Sequence, residues 1–340
     1  MLTSDPLSLD ITDTHPERLF FGAYAPHCLA GLSAGLHDTT DSRLLDLHVS
    51  CRVGQRQVAV HGVFTAHVGP QHLRAGPLHL QVDDGTLTVD LDESAGVAMQ
   101  ARFIPSGPPF AEPHYLFPTT RPLFDYRRRT QSGRWSGGIT VDGLRLPLDH
   151  VAGIRDRSQG RRPAFGAPGV DTFWWLWIPC RFPGGDVLFA TNDLPHGGAW
   201  NRFALWGGDP GGAGHFDSYD LELVPGTRHV RTARLRGRDL SGSPVELRLD
   251  ATSRLLMYGL GYGNPGWPHD VSSGTRPAGR QDLDLPALRT RLPRYFHTQS
   301  PCVAELYTPG RAERGEAVME SLLIGSRPSL GLREMFDVAR

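Results

Sequence analysis

The chain has 340 residues, 39% hydrophobic and 21% charged, enough apolar material for two domains with buried cores and too much for a disordered polypeptide. Its formal net charge is −1 with no basic stripe, so nucleic acid is not an expected partner. All 35 basic residues are arginines, and the absence of lysine excludes Schiff-base chemistry, a lysine general base and a P-loop.

The N-terminal stretch MLTSDPLSLDITDTHPERLF has no charged leader followed by an apolar run, and no later run approaches the roughly 20 residues of a membrane span. A cytoplasmic protein without a membrane span is the expectation. Cys28, Cys51, Cys180 and Cys302 are scattered, which gives neither a disulfide framework nor a zinc knuckle. GLSAG, Gly31 to Gly35, matches a nucleophile elbow around Ser33. An elbow needs a helix after it, and LHDTTD is not one, so a serine hydrolase using Ser33 is a minor alternative. LLDLHVSCRV and RQVAVHGVF read as strands. His61, His67, His72 and His79 lie in this half without H-x-H or H-E-x-x-H spacing, so no metal site is expected.

LHLQVDDGTLTVDL puts Leu78, Leu80 and Val82 on one face and, after Asp84-Gly85, Leu87, Val89 and Leu91 on a matching face. That is a strong hairpin signal. GVAMQARFI is a further strand. The proline-rich stretch Pro105 to Tyr126 interrupts pairing and suggests a join, with domains at 1–125 and 126–340.

WSGGITVDG resumes the strand pattern, and GIRDRSQGRR follows. If extended, Ile154, Asp156 and Ser158 share one face and Arg155, Arg157 and Gln159 the other. Asp156 is then either a salt-bridged or turn-capping residue, or an acid carried into an apolar lumen. Desolvation in a lumen would raise its pKa and let it donate a proton. TFWWLWIPCRF is apolar on both faces: Phe173, Trp175 and Trp177 on one, Trp174, Leu176 and Ile178 on the other. It is aromatic core, a cavity wall, or one on each face.

DVLFATND, HVRTARLRG, PVELRLDA and RLLMYGLGYG continue as strands. GYGNPG, Gly261 to Gly266, matches G-x-G-x-x-G, but Pro265, Trp267 and Pro268 forbid the helix a dinucleotide needs. AGRQDLDLPALRTRLPRYF reads as a loop and VAELYTPG as a strand. In EAVMESLLIG, Val318, Glu320, Leu322 and Ile324 alternate, so Glu320 occupies an apolar position and is either ion-paired or functional. SLGLREMFDVAR is predicted as one short C-terminal helix. Helical periodicity is otherwise nearly absent, and the fold class is all-β, barrels or sandwiches.

Several motifs in order resemble the two-domain lipocalin-like (calycin-type) proteins related to AttH and to hydroxyneurosporene synthase, the carotenoid hydratase. FDYRRRTQSGRWSGGITVDG is similar to the family's entry into its second half. GIRDRSQGRR resembles its Arg-Asp-(Arg/His)-Ser-Trp-Gly signature at Arg155, Asp156, Arg157, Ser158 and Gly160, with Gln159 in place of Trp. FWWLWIPCRFPGGD resembles the aromatic strand. GYGNPGWPHD resembles Gly-Tyr-Gly-His-Pro-x-Trp-Gly-His at Gly261, Tyr262, Gly263, Pro265, Trp267 and His269, with Asn264 for His. VMESLLIG resembles the Leu-Glu-Gln strand, with Glu320 as the acid and Ser321 for Gln.

The resemblance implies two packed calycin/lipocalin-like antiparallel β-barrels with a hydrophobic pocket in or between them. It also implies cofactor-independent hydration or cyclisation of a lipophilic small molecule, whether terpenoid, carotenoid or polyketide-like. Asp156 is then the proton donor, and Glu320 and His269 are acid–base or orienting groups. Ser158, Tyr262, Trp174, Trp175, Trp177 and Trp267 shape the ligand site, where aromatic faces suit a cationic intermediate. The rival reading is a non-catalytic carrier of the same lipophile. Neither reading calls for a metal or a cofactor, and the oligomeric state is left open.

Overall fold

The computed structural model describes residues 17–117, 124–161, 173–194, 198–207, 214–269 and 271–340. Part of the expected join (118–123), Arg162 and Asp270 lie outside the described residues. The chain divides into two compact units.

The first unit is a closed antiparallel barrel of ten strands. In order around it run Asp125–Val141, Val151–Arg161, Glu17–Ala25, Cys28–Asp38, Arg43–Val53, Arg56–Val68, His72–Ala75, Leu78–Asp83, Thr86–Ser94 and Val97–Pro105. Closure depends on the 17-residue strand Asp125–Val141, whose first part pairs with Val151–Arg161 and whose second pairs with Val97–Pro105. The first unit therefore runs past residue 125, where the sequence placed the join, and residues 259–287 also return to it. The strand Arg276–Asp284 pairs with Arg56–Val68, so AGRQDLD, read as loop, is an added edge strand. RLLMYGLGYG, read as strand, pairs only at Leu255–Leu256 before turning at Met257–Leu260.

The Asp84-Gly85 hairpin forms as expected. Both residues have positive φ, 45° and 72°, as a type I′ turn requires. Leu78, Leu80 and Val82 face Leu91, Val89 and Leu87 in register, and all six are buried.

The lumen is filled. Phe21 and Phe103 pack edge-on against Trp135, with ring centroids 6.5 and 5.1 Å away. The void left among Phe21, Leu32, Val49, Met99 and Ile139 is about 10 Å³, at the lower limit for one water. Among the described residues this interior is close-packed apolar core, whereas the sequence placed the expected hydrophobic pocket in or between the barrels.

The second unit curls eight strands into a nearly closed sheet. Their order is Ala199–Trp206, Gly185–Asp193, Phe173–Phe182, Arg311–Ile324, Thr298–Thr308, Pro244–Ala251, Val230–Arg238 and His215–Leu223. Trp206 on one edge strand stacks on Phe216 of the other at 6.3 Å. Trp174, Leu176, Ile178 and Cys180 face its core.

The expected C-terminal helix does not form. The tail holds a 3₁₀ turn, Pro328–Leu330, ended by Gly331 at φ 74°. Fully buried Arg228 donates to the carbonyls of Leu323, Gly325, Glu334 and Asp337, so a side chain ties the tail to the end of the strand Arg311–Ile324. Among the described residues no helix is long and apolar enough to cross a membrane.

Candidate functional site

Alternation along each strand of the first barrel sends one set of side chains into the lumen and the other outward. Phe21, Leu32, Val49 and Val60 point in. The residues in register one step along form an outward row across seven strands: Thr130, Asp156, Phe20, Ser33, His48, His61 and Gly279. A second row holds Arg128, Ser158, Arg18, Gly35 and Asp46. An outward face is ordinarily solvated, yet Thr130, Ser33, Asp46 and His61 are 0% exposed and His48 2%. Buried polar groups are costly unless they bond to one another.

They do. Arg18 grips Asp46 with both terminal nitrogens at 3.1 Å and donates from Nη1 to Ser33 Oγ at 2.9 Å. The Gly35 amide donates to Asp46 Oδ1 at 2.9 Å, and His37 Nε2 lies 3.1 Å from Oδ2. Burial alone would raise the Asp46 pKa, but the Arg18 guanidinium and the His37 hydrogen bond hold it well below the usual carboxylate range.

Beside this pair, His48 Nδ1 and His61 Nδ1 share a 2.7 Å hydrogen bond. One ring must donate and the other accept, so the two neutral tautomers are locked together. Burial and the neighbouring His269 push the His48 pKa well down, against the pull of Asp46. Burial, helped by Arg276, lowers His61 to about 4. Both rings are therefore neutral at neutral pH. His48 Nε2 stands 3.9 Å from Asp46 Oδ1. His61 Nε2 is buried and has no hydrogen-bond partner among the described residues.

The turn after Leu260 covers the pair. His269 Nε2 lies 2.6 Å from the Leu260 carbonyl, which fixes that nitrogen as a donor, and its ring meets His48 and Tyr262 edge-on at 4.5 Å each. Gly261 has φ 88°, and a Cβ there would overlap His269 and His48. Trp267 stacks on His61 at 4.9 Å and 18°. Its edge sits against Gly279, where a Cβ would overlap the indole. Among the described residues no group of three His, Cys, Asp or Glu side chains is placed to hold a metal ion.

The expected sites fall into three groups. Asp156 and Ser158 lie in the two outward rows, while Tyr262, Trp267 and His269 gather around His48 and His61. The strand Val151–Arg161 has the expected alternation, and of the two environments left open for Asp156 it has the ion-paired one. Arg155 enters the lumen, its Nε donating to Gln131 Oε1 at 2.8 Å and its guanidinium lying 5.1 Å from the centre of Phe103. Asp156 points outward, 4.0 Å from Arg128 Nε, so the apolar lumen that was to favour its protonated form is not its environment. Three strand spacings, about 14 Å, separate it from His48. Ser33 lies mid-strand and accepts from Arg18, without the strand-to-helix turn of a nucleophile elbow.

Glu320, Trp175 and Trp177 form the second group, on the outward face of the second unit. Glu320 accepts from His297 at 2.8 Å, Gln299 at 2.8 Å and the Trp175 indole at 3.3 Å. Trp174 stands apart in the core, with the Arg327 guanidinium 4.9 Å from its ring centre. Arg18, Asp46 and His48 were not singled out from the sequence. Their signal was the outward set Asp46, His48, Ser50 in LLDLHVSCRV, which looks like any solvated strand face.

No curated protein sequence matches this chain. Its fold is shared with an AttH protein from Nitrosomonas europaea, at 12% identity and a TM-score of 0.58, covering 92% of this chain and 94% of that one. Kievitone hydratase from Nectria haematococca aligns at 12% identity and TM-score 0.53 over 95% and 93% of the two chains. CghA, solved with Sch210972, aligns at 11% and 0.53 over 95% and 94%. The resemblance to the AttH-type two-domain lipocalin-like proteins therefore holds at the level of fold. The model of the family of unknown function DUF8625 matches residues 3–333, and the chain belongs to that family.

Proposed function

We propose that this protein is a cofactor-independent acid–base enzyme, of hydratase type, acting on a lipophilic small molecule at the outer face of its first barrel. The observation that carries the reading is the buried His48–His61 hydrogen bond, with Asp46 at one end and His61 Nε2 at the other. Asp46 favours the proton of His48 on Nε2. His48 Nδ1 then accepts from His61 Nδ1, leaving a lone pair on His61 Nε2. When His61 takes a proton from a water attacking the substrate, its Nδ1 proton passes to His48, whose positive charge rests beside Asp46. Reversal of the shift returns the proton to the adjacent carbon. One pair thus serves as base and then acid.

Arg18 and His269 hold Asp46 and the His48 ring in place. Asp156 beside Arg128 is suited to accept a hydrogen bond from the far end of a substrate rather than to give up a proton. Glu320 positions His297 in the second unit. The hydratase among the structural neighbours supports the reaction class.

The test is turnover of a panel of lipophilic enones, polyenes and allylic alcohols in isotopically labelled water, read by mass spectrometry. Wild type should incorporate label, and His61→Gln should slow it about 10²- to 10⁴-fold, the usual size of a lost acid–base group. Because His61 titrates near 4, kcat/KM should stay level on the acid side until about pH 4. Equal rates in the variant, or binding without turnover across the panel, would sink the reading.

A further inference from the structure

Asn192 and Asn201 face each other in register on the strands Gly185–Asp193 and Ala199–Trp206. They lie on the outward face of the second unit, since Asn192 also pairs with Trp175, whereas the neighbouring Trp174 points into the core. Asn192 is 3% exposed. Its Oδ1 and the Nδ2 of Asn201 are both buried, and neither has a hydrogen-bond partner among the described residues. One is an acceptor without a donor, the other a donor without an acceptor. Buried amides are ordinarily hydrogen-bonded, and an unmet donor beside an unmet acceptor is the complement of a third group that offers both. The strand pairing is irregular at the same place, with a register shift between Asn192 and Asp193, and such bulges re-aim side chains beside binding sites. The surroundings are aromatic. Phe203 lies two residues from Asn201 on the same face. The Tyr115 ring packs 5.8 Å from Trp175 and 5.9 Å from Phe203. Asn201 and Phe203 are only half-buried, which opens this face at the edge strand.

We propose that Asn192 and Asn201 bind the amide edge of a flat ligand, a primary carboxamide or a lactam. Its N–H donates to Asn192 Oδ1, its carbonyl accepts from Asn201 Nδ2, and its flat remainder lies against Trp175 and Phe203. Primary amides and lactams carry donor and acceptor on one edge, as two neighbours on adjacent strands require. A trans secondary amide points them in opposite directions. An ester or a carboxylate has no N–H for Asn192, and a carboxylate would also bring negative charge towards Oδ1. A hydrocarbon would leave both side chains unmet. The site belongs to the second unit and does not depend on proton transfer at His61.

Titration of the full chain with benzamide, methyl benzoate and benzoate, followed through the side-chain amide signals in NMR, tests the assignment. Wild type should bind benzamide about tenfold more tightly than methyl benzoate, the size of one neutral hydrogen bond lost together with a buried acceptor left unmet. Benzoate should bind no more tightly than the ester, since neither can donate to Asn192. Asn192→Leu should bring benzamide down to the level of methyl benzoate. Its thermal midpoint should stay level or rise, because an apolar side chain of similar size removes the unmet acceptor, and this shows the fold intact. Asn201→Leu should weaken amide and ester alike, because both use its N–H. His61→Gln should leave all these affinities unchanged, so the amide site stands or falls apart from the histidine pair. No binding of benzamide, equal affinities of wild type for amide and ester, or a preference that survives Asn192→Leu would overturn the site.

Discussion

At the scale of single residues, the unusual feature is how many ionisable side chains are buried. His61 and His229 both sit near a pKa of 4 because burial penalises their charged forms, and His48 is well below its ordinary value for the same reason. The consequence for stability has a definite sign. As pH falls below about 6.5 the unfolded chain takes up protons that these buried rings refuse, so the unfolded state gains ground. Stability should be complete above that pH and drain away towards pH 4, by on the order of 3 kcal/mol per histidine at most. Asp46, with its pKa lowered, loses its contribution only below the ordinary carboxylate range and adds nothing in this window. Urea midpoints across this range measure the slope. His229→Gln, in the second unit, should flatten it by about one histidine's share without altering the His48–His61 pair.

At the scale of elements, local chemistry was a good guide where the chain answers to itself and a poor one where it does not. The Asp84-Gly85 turn and its flanking leucines were legible because two residues with positive φ and period-two alternation leave one solution. SLGLREMFDVAR has helical spacing, but Arg228, 109 residues from its partner Asp337, supplies the bonds that decide its path. The turn Gly261–His269 is shaped from outside as well, by the notch that Gly279 leaves for Trp267. Gly279→Ala should push the indole off His61 and lower stability by about 1–3 kcal/mol, as overpacking does. A changed His61 ring-proton shift in NMR, as the stacked indole leaves, checks the displacement; an unmoved shift would mean that Trp267 is held by other contacts.

At the scale of the whole molecule, both units bury large apolar clusters, and the first carries the His48–His61 pair on its outward face while Arg155 and Gln131 enter its lumen. The void beside Phe21 and Trp135 in the first barrel is about 10 Å³. Phe21→Ala should therefore cost about 3–5 kcal/mol, the range for a large aromatic removed from a tight core. A smaller loss with an unchanged denaturant slope would indicate a looser interior. Turnover should survive in the folded variant, because Phe21 points away from the outward row.

The sequence by itself determined most of the strands, the Asp84-Gly85 turn, the absence of lysine chemistry and the alternation that separates Asp156 from Arg155. These follow from period-two geometry and from φ preferences, which neighbours along the chain dictate. It also marked Tyr262, Trp267 and His269 through their likeness to a known pattern. Tertiary structure alone decided which face of each strand is inside. Alternation defines two faces and labels neither, since a face is lumen or exterior only once the barrel closes. Closure sent Arg155 in and Asp156 out. It also set Asp46, His48 and His61 side by side on strands whose polar residues, read singly, were indistinguishable from a solvated surface.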